Sequence, residues 1–441
     1  MSSRISALAH SLLCKLVDVR AGEVGALFGS FAYFFCLLCS YYILRPVREE
    51  MGIAGGVKNL PWLFTGTFVA MLAAAPLYAA VVARWPRRRF IPVVYRFFAL
   101  NIVVFWALLR DDAAAVHAAR AFYIWTSVFN LFVVSVFWGF MADLWRSEQG
   151  KRLFGFVAAG GSAGALAGPL VASLVVGRIG VVNLLLVSAG VLELAALCAV
   201  RLARGAQATP SAQAVGEARG AADERIGHGL FSGLRPVFRS PYLLGISGMT
   251  LLTTLTSTVL YWQQMHVIAA QMPDRAARTA LFANMDLLTN ALSLLLQAAV
   301  TGRVMRRLGL VWALAAVPVV SAVGFLGLTV APVIGVFVAF QVARRAAHYG
   351  LERPAREVLF TVVPREEKYT SKSFIDTVVY RGGDAASVWA CDALGAVVGA
   401  AGLSLGMLPI AGLWIALNGF LSRRQAALAG EKAEARPAPA P

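Results

Sequence analysis

The chain has 441 residues, 59% of them hydrophobic and only 14% charged, with a formal net charge of +17. Soluble domains run near 45–50% apolar and about 25% charged, so this composition excludes a water-soluble globular protein and describes one built for a bilayer. The basic residues punctuate apolar runs instead of forming a continuous face, which argues against a nucleic-acid partner and makes the charge a topology signal.

The amino terminus, MSSRISALAHSLLCKLVDVR, is too weakly hydrophobic for a secretory signal, so the first membrane helix is expected to direct insertion. A hydrocarbon core of about 30 Å takes roughly 20 apolar residues to cross. Runs of that kind fall near 24–44, 61–83, 90–109, 120–142, 153–177 and 179–200. Residues 201–240, rich in Ala, Gly and charge, read as a linker with a short interfacial helix at its end. A second set of runs follows near 241–263, 279–301, 308–328, 331–350, 373–400 and 405–421, before a polar tail at 422–441 that reads as disordered. The predicted fold is an all-α integral membrane protein of twelve transmembrane helices in two six-helix bundles, 1–200 and 241–421. Neither linker nor tail is long enough to fold alone.

Lys and Arg set the orientation. Counted between the runs, 30 lie on the side of the termini and the linker and 8 on the opposite side, so both termini and the linker are expected in the cytoplasm of a bacterial inner membrane. The halves also resemble each other. RWPRRRF after the second run (Arg84, Arg87, Arg88, Arg89) has its counterpart in GRVMRRLG after the eighth (Arg303, Arg306, Arg307), and Gly160-Gly161 stands 222 residues before Gly382-Gly383. Parallel six-helix repeats joined by a long cytoplasmic loop resemble the major facilitator architecture, whose gating motif lies at these basic loops.

Ionisable groups in lipid cost roughly 2.5–3.5 kcal/mol each, so those inside the runs are expected to face water or a partner. YYILRPVREEMG places Arg45, Arg48, Glu49 and Glu50 at the outward end of the first helix, with Pro46 expected to loosen it. Two readings stand side by side. The arginines aim a planar fork at a passing phosphate or carboxylate, or Arg48 is simply balanced by Glu49 or Glu50.

In the seventh run Thr250, Thr254, Ser257, Tyr261 and Gln264 form a polar stripe, and in the eighth Asp286, Asn290, Ser293 and Gln297 repeat the spacing. The tenth run puts Gln341, Arg345, His348 and Glu352 on one face, with Arg344 adjoining. Arg344 and Arg345 are candidates for anion binding or for snorkelling, and His348 reads as a hydrogen-bonded structural residue. In the eleventh, Asp376, Tyr380, Arg381, Asp384 and Asp392 share one half of a helix turning about 100° per residue. They line a transport cavity or satisfy one another's charge. Gly160, Gly164 and Gly168 in the fifth run permit close helix contact. The five cysteines and five histidines form no disulfide framework, metal-ligand spacing or catalytic motif, so no metal, cofactor or enzymatic activity is expected.

Four segments carry a resemblance. ILRPVREEMG with VKNLPWLF, FWGFMADLWRSEQGKRLFGF, TALFANMDLLTNALS and PREEKYTSKSFIDTVVYRGGDAAS, in that order, resemble the nucleotide exchangers, the ATP/ADP translocases of plastids and intracellular bacteria. The resemblance implies that Arg48 occupies the helix-one basic position linked to nucleotide transport, that Lys151 and Arg152 match the basic pair after helix four, and that Asp376 and Arg381 match the helix-eleven pair. Acidic positions of helices four and seven are Thr126 and Val259 here, and Asp384 takes a second basic position of helix eleven.

The expectation is a monomeric carrier of a small anionic, phosphorylated metabolite, a nucleotide among the candidates, working by alternating access. Arg45, Arg48, Arg96, Arg344, Arg345 and Arg381 would hold the anion. Asp286 and Asp384 would set selectivity or carry coupling protons, Asn290, Asp376 and Tyr380 would line the substrate site, and the basic loops with Lys151 and Arg152 would latch the cytoplasmic gate. A proton-coupled exporter of a non-nucleotide compound is the rival reading.

Overall fold

The computed structural model describes residues 19–84, 87–145, 147–206 and 233–434. Each apolar run becomes a helix, and most helices outrun the apolar stretch that announces them. The first six are α1 (Val24–Ala54), α2 (Leu60–Arg84), α3 (Arg87–Leu108), α4 (Ala115–Leu144), α5 (Ser147–Ile179) and α6 (Leu184–Ala206). After a short helix, Leu234–Arg239, come α7 (Pro241–Gln271), α8 (275–307), α9 (Leu310–Val330), α10 (334–359), α11 (365–398) and α12 (400–434). Among the described residues none lies in a β-strand. The twelve-helix, all-α expectation therefore holds. Most of the predicted linker, 207–232, and the end of the tail, 435–441, lie outside the described residues.

Local chemistry fixes where the helices start and stop. At the start of α7, Ser240 is the N-cap, with Oγ accepting the Leu243 N–H at 3.4 Å, and Pro241 fills the first helical position, where a missing N–H costs nothing. Positive φ among the described residues occurs only at glycine, in the turns after α1 (Gly56), α5 (Gly180), α8 (Gly309) and α11 (Gly399). Gly399, at φ 69°, is what separates α11 from α12.

Three expectations need correcting. Pro46 does not loosen the end of α1, which stays helical through Arg45–Glu50 to Ala54 with Pro46 buried inside it. Tight packing there outweighs the hydrogen bond that proline removes. The residues after 421 are not all irregular: α12 runs on to Glu434 through SRRQAALAGEKAE, a stretch of strong helix formers. Helix α11 begins before the apolar run, at Arg365, because REEKYTSKSF is helical too.

The described residues form two compact units. One holds those up to Gly55, those between Ala73 and Gly227, and Asp274–Leu287. The other holds Gly56–Leu72, His228–Pro273 and the chain from Leu288. In the first, α1 is the central helix, packed against α4, α5 and α6. The glycine stripe of α5 makes this contact: a Cβ on Gly160 or Gly164 would fall on the Phe31 or Phe35 carbonyl oxygen, and one on Gly168 would lie 2.7 Å from that of Cys39. In the second unit α7 and α11 also pack closely, with Gly383 against the side chains of Thr254 and Leu251. Gly161, the counterpart of Gly383 in the repeat, meets the Phe34 ring of α1, so both members of this pair sit against a side chain of the helix that opens their half.

Candidate functional site

In the first unit the polar groups gather where the end of α1 meets α4 and the start of α8. Arg48 is held on three sides. Its guanidinium lies 3.9 Å from the centroid of the Tyr123 ring, Nε donates to the Tyr123 carbonyl at 3.2 Å, and one terminal nitrogen pairs with Glu49 at 3.0 Å. A stacked arginine of this kind gains roughly 0.5–2 kcal/mol from the ring and keeps its planar fork fixed. Arg45, one turn back, pairs with Asp286 of α8 at 3.3 Å.

Glu50 points elsewhere. Its side chain is fully buried and accepts from two nitrogens of the Arg278 fork, at 2.7 and 2.9 Å, and from Arg275 at 3.0 Å. Arg120 of α4 donates to the Gly55 carbonyl at 2.8 Å, binding the last turn of α1. A carboxylate this deep survives only because two guanidinium groups compensate it; removing one partner of such a pair costs about 3–5 kcal/mol.

In the second unit α7, α10 and α11 enclose a cleft lined by Met249, Thr250, Thr253, His348, Glu352, Arg353, Arg356 and Tyr380. Its deepest acid is Glu352, buried, which accepts from Thr253 Oγ1 at 3.0 Å and lies 2.7 Å from His348 Nδ1. Arg344, also buried, is held by neutral oxygens: Ser321 Oγ at 3.2 Å, the Thr253 carbonyl at 2.8 Å and Thr256 Oγ1 at 2.9 Å. Two widened turns shape the cleft. Residues 348–352 and 375–379 adopt π-helical geometry, which offsets the side chains that follow and is frequent at functional sites.

The predicted site residues divide accordingly. Arg45, Arg48 and Asp286 come together in the first unit. Arg96 does not join them: it is 57% exposed and pairs with Glu193 of α6 at 3.1 Å. Asp376 pairs with Arg356 at 2.9 Å, Arg381 lies 3.9 Å from Asp384, and Asp384 accepts from Thr258 at 3.2 Å. Tyr380 faces the cleft, whereas Asn290 and Arg345 are half-buried. Thus the charged face of α11 is partly satisfied by neighbours on α7 and α10 and partly lines the cleft.

Of the gate candidates, Arg152 binds Glu23 at 3.1 Å, and Lys151 is exposed. Arg303 and Arg306 cap carbonyls of their own helix, Ala299 and Gly302, and Arg307 is exposed. The side chains of Arg84, Arg87, Arg88 and Arg89 lie outside the described residues.

Sequence reasoning missed Glu50, Arg275 and Arg278 as a group, since 225 and 228 residues separate the partners and no periodicity joins them. It also missed Thr253, Thr256 and Arg356. Thr253 and Thr256 were hidden because α7 is polar on more than one side.

The sequence pattern of the Major Facilitator Superfamily matches residues 26–369. No curated protein sequence matches the chain. Among solved structures, a bacterial homologue of the iron transporter ferroportin in an inward-facing state superposes with a TM-score of 0.64 at 12% identity, covering 91% of this chain and 98% of that one. A D-xylose–proton symporter superposes with a TM-score of 0.60 at 13% identity, covering 90% and 96%. At such identities the likeness is one of fold.

Proposed function

The chain belongs to the Major Facilitator Superfamily, and from that premise we propose that it carries a small anionic, phosphorylated metabolite across a bacterial inner membrane. Its halves, 1–200 and 241–421, alternate in exposing a central site, with both termini and the 201–240 linker in the cytoplasm.

The arginine excess around the end of α1 carries this reading. There Arg45, Arg48, Arg120, Arg275 and Arg278 stand against Glu49, Glu50, Asp274 and Asp286. Arg48 is the anion contact best prepared by geometry, because Tyr123 fixes the plane of its fork. Arg45 joins it when Asp286 lets go. The resemblance to nucleotide exchangers makes nucleotides the first candidates. A triphosphate brings about four negative charges, more than this surplus matches, so a less highly charged phosphate fits the balance better. Uptake of labelled phosphates into liposomes tests the assignment. Arg48→Ala is expected to slow uptake at least about tenfold, the loss of one charge-assisted contact; uptake at the wild-type rate would show that the anion site is elsewhere.

One observation favours the second reading, proton-coupled export. The buried Glu352 lies 2.7 Å from His348 Nδ1 in the cleft, which puts a carboxylate and an imidazole, two groups able to carry protons, side by side. If that reading holds, an imposed pH gradient drives transport in the wild type and not in Glu352→Gln, while Arg48→Ala retains it.

A further inference from the structure

Helices α1 and α6 of the first unit meet along a seam of small residues. Ser40 of α1 and Ser188 of α6 each donate a hydroxyl to the other's backbone carbonyl, at 3.0 and 2.9 Å, and their hydroxyl oxygens lie 2.8 Å apart. Nearer the start of α1, Gly29 makes room for Leu202: a Cβ at Gly29 would fall 2.7 Å from Leu202 Cδ2. Small side chains of this kind let two membrane helices approach closely, and the two contacts fix α1 and α6 in antiparallel register.

Between these contacts the seam holds two thiols. Cys36 of α1 and Cys198 of α6 are hydrogen-bond partners, although 162 residues separate them in sequence. Both are free and half-buried, whereas Cys39, one turn further along α1, is buried. Two of the four described cysteines therefore face each other, a pairing that spacing in the sequence does not show.

Packing does not require sulfur at both places, since a thiol is a weak hydrogen-bond donor that otherwise behaves as a small apolar group. What a second sulfur adds is a reaction. A disulfide needs Cα atoms about 4.4–6.8 Å apart, and helices whose serine hydroxyls reach each other's backbone have made that kind of approach. Both cysteines also lie inside membrane spans, Val24–Ala54 and Leu184–Arg204. Charged oxidants enter hydrocarbon at a high cost, so a neutral, lipid-soluble electron acceptor is the class that reaches them.

We infer that Cys36 and Cys198 form a reversible redox pair, oxidised to a disulfide by a lipid-soluble quinone. Two S–H bonds break and one S–S bond forms; the two protons and two electrons pass to the quinone, which leaves as the quinol. A dithiol reverses the step by thiol–disulfide exchange. The bond ties α6 to the helix that carries Arg45 and Arg48, and so makes that helix answer to the redox state of the membrane. The pair stands apart from the anion reading, and neither needs the other.

The test uses the full-length chain, purified in detergent, reduced with dithiothreitol and freed of it. It is exposed to decylubiquinone, whose ring has no free position for addition of a thiol. Free thiols are then counted under denaturing conditions by the mass added with a maleimide. From five in the reduced chain the count is expected to fall by two and to return to five with dithiothreitol, and digestion of the oxidised protein to recover Cys36 joined to Cys198. Cys36→Ser and Cys198→Ser should each keep their remaining thiols free, while Cys39→Ser still loses two. A count that stays at five, or a bond that joins other cysteines or two chains, overturns the pair.

Discussion

Gly164 shows how much one hydrogen atom decides. Its Cα approaches the backbone of α1 so closely that a methyl group would meet the Phe35 carbonyl oxygen, which cannot swing aside as a side chain can. Gly164→Ala should therefore destabilise the fold by about 1–3 kcal/mol, the range for overpacking. Gly155, one face round on the same helix, has nothing within 4 Å of the same position, and Gly155→Ala should leave the melting temperature unchanged or raised. Thermal unfolding of the two variants in detergent checks the contrast.

Glu23, just ahead of α1, gives a pH dependence. Burial pushes its carboxyl pKa up, but hydrogen bonds from Gln149, the Arg20 N–H and Arg152 outweigh burial and hold it below the ordinary 4.5. A folded-state value below the unfolded one means that the contribution is complete above about 4.5 and is lost as pH falls through the lower folded value. The melting temperature of the wild type should exceed that of Glu23→Gln at pH 7, and the difference should shrink once the pH drops below about 4.5.

At the scale of elements, the two π turns of α8 and α10 complete each other. A π turn leaves carbonyls poorly paired, and here residues 296–301 supply donors to 348–352: Gln297 reaches the Tyr349 carbonyl at 3.0 Å and Thr301 that of Gly350 at 2.6 Å. Gly350 has no Cβ to hold Leu296 away. Thr301→Val keeps the shape and removes the hydroxyl, so it should cost about 1–3 kcal/mol, the penalty for an unsatisfied buried acceptor. Thr361→Val, on an exposed hydroxyl, should be nearly silent by the same melting assay.

These elements also mark what a sequence reader can and cannot see. The helices were legible because twenty apolar residues in a row have few other uses; the turn at Gly56 falls between the runs, whereas those at Gly180 and Gly309 fall one residue inside the runs that follow them. The ends were not, because Arg45–Glu50 and Arg365–Phe374 look like loop by polarity and are helical. Among site residues, Arg48 and Glu49 were legible as neighbours. Glu50 was not, since its charge answers to Arg278, 228 residues further along the chain. Asp376 was visible on its helix face, but its partner Arg356 lies beyond the π turn that shifts the register of α10.

For the whole molecule, the repeat organises both the fold and the candidate sites. Glycine contacts seat α5 on α1 and α11 on α7, which leaves polar faces of α1 and α7 for the arginine cluster and for the cleft. Basic chemistry dominates the first of these places and a carboxylate–imidazole pair the second, so the two functional readings belong to different units and separate experimentally. The anion reading predicts an effect of Arg48→Ala, and the proton reading one of Glu352→Gln.

The measurement that bears most directly on the anion reading is the thermal shift of the purified chain and of Arg48→Ala against ATP, ADP, inorganic phosphate and sugar phosphates. A ligand that binds only the folded state raises stability by about 2.7 kcal/mol at one hundred times its dissociation constant, enough to read as a shift of the melting temperature. At least one of these phosphates is expected to stabilise the wild type, and Arg48→Ala to lose the shift. Silence from every phosphate, or an equal shift in both proteins, would contradict an anion site at Arg48.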